Sequence, residues 1–145
     1  MAKVHKTALV PYSASAMYEL VEDVDSYPGF LPGCRAVKVL ERTDEEVKAS
    51  IEMAKGPMHR WFTTRNRLFP QERMELSLIE GPFSHLEGIW HFNPLGDQGS
   101  KITMDIEFGY ASRLVERTVG GLFNGMINHL VDAFVEEAHR RYGGR

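Results

Sequence analysis

The stretch from Ser112 to Tyr142 constrains the fold more than any other: it holds no proline, and apolar residues recur at helical spacing at Val115, Val119, Leu122, Met126, Leu130 and Phe134. An α-helix rises about 1.5 Å per residue, so a helix over this stretch is roughly 45 Å long. Propensity alone does not hold so long a helix; it needs a large apolar surface to lie on. The chain ahead of it offers mainly strands. The sequence therefore predicts an α+β fold in which a curved antiparallel sheet grips one C-terminal helix. Such a grip commonly leaves a cavity between sheet and helix, and that cavity is where function is expected.

The strands are legible one by one. Val4 to Val10 reads as the first and is ended by Pro11. Ser13 or Ser15 can cap a helix whose apolar positions Met17, Leu20, Val21 and Val24 share a face. In the next segment Pro28 and Pro32 bracket Phe30 and Leu31, which predicts a turn or short helical plug carrying a hydrophobic lid. Val37 and Val39 mark a second strand, and Val47, Ala49, Ile51 and Met53 alternate through a third. Met58 to Leu68 is the fourth, and Met74, Leu76 and Leu78 lie in the fifth. Leu86, Gly88, Trp90 and Phe92 share one face of the sixth, as do Ile102, Met104, Ile106 and Phe108 in the seventh. Turn-forming residues separate them, among them Gly56-Pro57, Gly81-Pro82 and Gly96-Asp97-Gln98-Gly99.

Composition narrows the class. At 145 residues, with 43 % hydrophobic and 26 % charged side chains, the chain reads as one globular domain over residues 1–145. No stretch approaches the ~20 apolar residues of a membrane span. Met1-Ala2-Lys3-Val4-His5-Lys6 lacks an apolar signal core, which predicts a cytoplasmic protein, peripheral to the inner membrane at most. One cysteine, Cys34, excludes an internal disulfide. The net charge of −3 gives no global pull toward nucleic acid, so contact with RNA would need a local basic patch.

The inward faces carry little chemistry. His85 and His91 lie six residues apart on one strand, about 20 Å, too far to share a metal. His129 and His139 fall on the helix among Asp132, Glu136, Glu137 and Arg140, where pairing on a solvated face explains them. Cys34 has no basic neighbour but Arg35 and reads as a structural thiol. No nucleophile–base pair or carboxylate pair suggests itself, so no enzyme is expected and no catalytic or metal residue is assigned. Polar residues are dense only along Arg60 to Leu68. With Phe62 facing in, so do Thr64 and Asn66, either to orient a ligand's polar head or to bond within the sheet. Arg60, Arg65 and Arg67 are either phosphate contacts or plain surface charge. Gly88 leaves room beside Trp90, and Gly120, Gly121 and Gly125 on the helix either allow close packing or keep a tunnel open. Seven methionines suit an adaptable cavity and an irregular dry core equally.

The run Asp23-Val24-Asp25-Ser26-Tyr27-Pro28-Gly29-Phe30-Leu31-Pro32-Gly33-Cys34 resembles the signature of the coenzyme Q-binding proteins, in the START-like, polyketide cyclase-like superfamily with its helix-grip fold. Phe62-Thr63-Thr64-Arg65-Asn66 and the run from Gly81 to Leu95 resemble the bacterial branch of that family, the ribosome-association toxins. The resemblance covers almost the whole chain in three ordered motifs. It implies a non-enzymatic carrier that needs no cofactor and holds ubiquinone or a related prenyl lipid in a hydrophobic tunnel, in support of respiratory electron transport. On that reading Phe62, Trp90, Met104, Phe108, Leu122 and Met126 line the tunnel, Phe30 and Leu31 guard its mouth, and transient membrane contact transfers the lipid. The bacterial branch implies a different partner, the large ribosomal subunit, whose joining to the small one is blocked; Arg60, Arg65 and Arg67 would then touch the ribosome. The lipid carrier is the leading expectation and the ribosome role the alternative.

Overall fold

The computed structural model describes residues 2–143. Its elements run β1 (Ala2–Val10), α1 (Ala14–Glu22), a 3-10 helix (Val24–Gly29), β2 (Cys34–Arg42), β3 (Glu46–Lys55), β4 (Met58–Phe69), β5 (Arg73–Glu80), β6 (Phe83–Leu95), β7 (Gly99–Tyr110) and α2 (Arg113–Tyr142). The seven strands form one antiparallel sheet in the order β1-β7-β6-β5-β4-β3-β2. Successive strands pair as hairpins, and β1 closes the far side by pairing with β7, with Val4 opposite Ile106. Irregularities in register at Cys34/Ala36, Val39/Glu41, Thr63/Thr64 and Phe83/His85 bend the ladder. Each such bulge adds local twist, which is how the sheet curls around a helix.

Alternation decides which face meets the helix. In β7, Ile102, Met104, Ile106 and Phe108 are buried while the residues between them are half-exposed or exposed. Along α2 the buried set Val119, Leu122, Phe123, Met126, Ile127, Leu130, Val131 and Phe134 recurs every three to four residues. Ser112 caps this helix, its side chain accepting from the Val115 amide at 3.1 Å, and Ser13 caps α1 through Ala16 at 3.0 Å. Fully buried Phe134 ties the layers together: its ring lies 5.3 Å from Trp90, 5.2 Å from Tyr27 and 5.2 Å from Phe30. A side chain of this size contributes roughly 1.5–3 kcal/mol by leaving water.

The end of α2 differs from the sequence expectation. Glu137 is not on a solvated face but 4 % exposed, and it accepts from Arg140 at 2.8 Å and Arg141 at 2.6 Å. Those two guanidinium groups hold its carboxyl down to about 2. Gly88 also differs, for the space beside it is already taken: a Cβ there would stand 2.8 Å from Ile106 Cγ1. No helix of the described residues is long and apolar enough to cross a membrane.

Candidate functional site

The concave face of the sheet and α2 enclose an apolar cavity. Leu31, Phe62, Trp90, Met104 and Met126 line it, together with Tyr27, Thr64, Asn66, Phe123 and Phe134. Three further expected residues, Phe108 and Leu122 for the lining and Phe30 for the mouth, are not on its wall. Phe108 packs in an aromatic cluster, its ring 4.8 Å from Phe123 and 6.4 Å from Phe83. Phe30 lies edge-on against Tyr27 and Phe134 and so braces the plug rather than the lumen. Leu122 faces an outer groove. The cavity measures about 60 Å³, the liquid volume of about two waters. A bulkier guest therefore requires lining side chains to move aside.

Two polar groups interrupt this lining. Thr64 and Asn66 are 2 % and 3 % exposed, and the Thr64 hydroxyl donates to Asn66 Oδ1 at 2.9 Å. Bonding within the sheet thus accounts for one end of the amide. Its other end has no side-chain partner among the described residues. The phenol of Tyr27 donates to the Val21 carbonyl, and burial pushes its pKa far above the ordinary value, so it stays neutral. Cys34 is buried too, and burial raises its thiol to about 11. A thiol so protonated is a poor nucleophile.

An outer groove of about 230 Å³ runs between Pro32-Gly33, Ala54-Lys55 and the α2 residues Gly121, Leu122, Gly125, Met126 and His129. The helix glycines do not keep the interior open. Gly121 and Gly125 face this groove, and a methyl group added at either would meet nothing within 4 Å, whereas one at Gly120 would stand 3.8 Å from the Tyr110 ring. Met126 lines both the groove and the cavity and is the partition between them.

Charged residues divide by pairing. Arg65 lies 3.2 Å from Glu46 and Arg67 4.0 Å from Glu75, so both are already matched on the outer face of the sheet. Arg60 is exposed at the start of β4 and forms no ion pair among the described residues. Sequence reasoning missed Lys38, whose ammonium stands 5.2 Å over the outward-facing Trp61 ring, and the carboxylate of Glu52, buried between Arg35 at 3.7 Å and His59 at 3.0 Å. The alternation that turned Trp61 outward was readable; its cover from β2 was not. A wide, open depression on the outer face, lined by Lys3, His5, Glu75, Glu87, Asp105 and Glu107, mixes both signs of charge. Among the described residues no three His, Cys, Asp or Glu side chains gather as a metal site.

Comparison with known proteins matches this architecture. The chain is 45 % identical over 140 residues to the ribosome association toxin RatA of Pseudomonas aeruginosa, covering 97 % of each. It is 28 % identical over 142 residues to a mitochondrial coenzyme Q-binding protein of Xenopus laevis, covering 95 % of this chain and 58 % of that one. The crystal structure of a Streptomyces aromatase/cyclase superposes with a TM-score of 0.85 at 18 % identity, over 99 % of this chain and 98 % of that one, which establishes the helix-grip fold and nothing about chemistry. The profile of the family described as polyketide cyclase / dehydrase and lipid transport matches residues 10–135. The chain belongs to that family.

Proposed function

We propose that this protein associates with the ribosome in the cytoplasm, binding the large subunit and blocking its joining to the small one. The observation that carries the reading is 45 % identity, across 97 % of both chains, to a protein named for ribosome association. This reverses the order expected from the sequence, where the lipid carrier came first. With a net charge of −3 and only Arg60, Arg65 and Arg67 clustered in the sequence, few phosphate contacts are expected. Arg65 and Arg67 remain available in spite of their partners, because exposed ion pairs are worth only about 0–1 kcal/mol. Each phosphate contact contributes about −0.7 to −0.9 to the log–log salt slope, so pelleting with isolated large subunits should weaken only gently between about 50 and 200 mM salt. Replacing Arg65 and Arg67 with glutamine should loosen it further. Absence of the protein from the subunit pellet even at low salt would refute the reading.

A second reading, the non-enzymatic binding of a ubiquinone-like lipid without any cofactor, is favoured by one observation. The buried Thr64–Asn66 pair puts a polar spot in an otherwise apolar cavity. A polar-headed, apolar-tailed guest complements that arrangement, and the coenzyme Q-binding relative supports the same class of ligand. The lining offers neutral Tyr27, Thr64 and Asn66 and no acid–base pair, which supports binding rather than turnover.

A further inference from the structure

The strands do not share their charge evenly. β2 to β4, with the turns between them, carry eight lysines and arginines against five carboxylates, whereas β5 to β7 carry two against six. On the outer face of the sheet the cationic excess gathers around one aromatic ring. Trp61 points outward on β4, opposite Glu52 of β3. One row along, Lys38 of β2 stands opposite Ser50, which is itself opposite Thr63 of β4. The Lys38 ammonium lies 5.2 Å over the Trp61 ring and forms no ion pair among the described residues.

The carboxylates of this face are each engaged by a neighbour. Glu52 is buried, 3.7 Å from Arg35 and 3.0 Å from His59. Glu41 lies 3.7 Å from Lys48, and Glu46 3.2 Å from Arg65. Lys38 is the cation left over, and it sits on the ring. The patch is continuous over three strands and ends at β5, where Glu80 stands opposite Thr63. Arg60 does not belong to it, because it shares the inner face with Met53, its partner across the ladder.

We propose that this face is a platform for single-stranded RNA: one base stacks on Trp61 in the place Lys38 holds, and Lys38, Arg35 and Arg65 take the neighbouring phosphates. An aromatic ring for a base, set in a cationic surface for the backbone, is the combination that grips single strands. A lysine over a solvent-facing ring is held weakly, so it moves to a phosphate at little cost. An acidic protein would use the cations and leave the ring idle, and a duplex offers no free base face to stack. The carboxylates of β5 to β7 repel the same strand and confine it to β2 to β4. The inference rests on the ribosome reading only for where such RNA is met, in the unpaired loops of the large subunit.

Fluorescence anisotropy of a fluorescein-labelled uridine octanucleotide tests it on the full-length protein alone. Trp61→Ala should weaken binding about tenfold or more, the worth of one stacked base, and Trp61→Phe should restore most of it. Lys38→Gln should weaken it severalfold and reduce the log–log salt slope by about 0.7. Lys3→Gln, the same charge change on the acidic half, should leave binding as it is. Saturating octanucleotide should quench the wild-type emission but not that of Trp61→Phe, whose remaining tryptophan, Trp90, is 2 % exposed. Circular dichroism checks that each variant is folded. No binding of the octanucleotide would overturn the proposal. So would a Trp61→Ala variant that binds like wild type while Lys38→Gln weakens, since that describes a plain polyanion surface. Pelleting with large subunits separates the two readings. Wild-type pelleting undiminished in Trp61→Ala would overturn the platform and leave ribosome association standing. Trp61-dependent octanucleotide binding by a protein that never pellets would support the platform and refute ribosome association.

Discussion

At the scale of single residues, Asn66 and Glu137 have the most to lose. Thr64 and Asn66 share a hydrogen bond, so replacing both with apolar side chains of like shape leaves nothing buried and unmatched. Thr64→Val with Asn66→Leu should keep or raise the melting temperature. The same change should weaken binding of a short-chain ubiquinone about tenfold, the worth of one hydrogen bond of about 1.4 kcal/mol. Quenching of Trp90, which lines the cavity, reports the binding. Unchanged affinity would mean that the amide does not touch the guest. Glu137 makes a prediction about pH. Its carboxyl is held at about 2, below its ordinary 4.5, chiefly by the hydrogen bond from Arg140 and then by Arg141. The folded state binds the proton less well than the unfolded state, so the stabilisation is complete above about pH 4.5 and fades as pH falls toward 2. The wild-type melting temperature should therefore drop across that window, and Glu137→Gln should flatten the drop. Alternation placed Thr64 and Asn66 inward correctly. Helical pairing left Glu137 in solvent, because a carboxylate covered by arginines three and four residues on looks no different in sequence from one on a polar stripe.

At the scale of elements, two glycines expected to behave alike are opposites. Gly88 of β6 has Ile106 against it, so Gly88→Ala must push a packed side chain and should cost about 1–3 kcal/mol in chemical denaturation. Gly125 of α2 has open space around it, and Gly125→Ala should stabilise by roughly 0.5–1 kcal/mol without altering the interior cavity. A destabilised Gly125→Ala would mean that the groove is closed in solution. The seven strands and both helices were legible because each carries its own period, two residues in β7 and three to four in α2. What the period does not encode is rotation about the helix axis relative to the partner layer. That rotation turns Met126 inward and Gly125 out, and it sends Leu122 to the groove rather than the cavity. Phe108 eluded pattern for a related reason. It is on the inner face, as its alternation demands, but lies along the strand where Phe83 and Phe123 fill the space a lumen would need.

At the scale of the whole molecule, the fold offers a nearly filled core and an outer groove. The cavity measures only about 60 Å³, so the proposed lipid binding would need its walls to part, whereas the proposed ribosome association would use the surface. The two proposed roles are thereby separable: filling the cavity should leave ribosome binding intact. The most direct test of the central claim is a sucrose gradient of purified ribosomal subunits rejoining in the presence of rising amounts of this protein. The account predicts that the joined-ribosome peak shrinks in proportion to added protein, and that the protein travels with the large subunit. A joined peak of constant height, with the protein left at the top of the gradient, would contradict it.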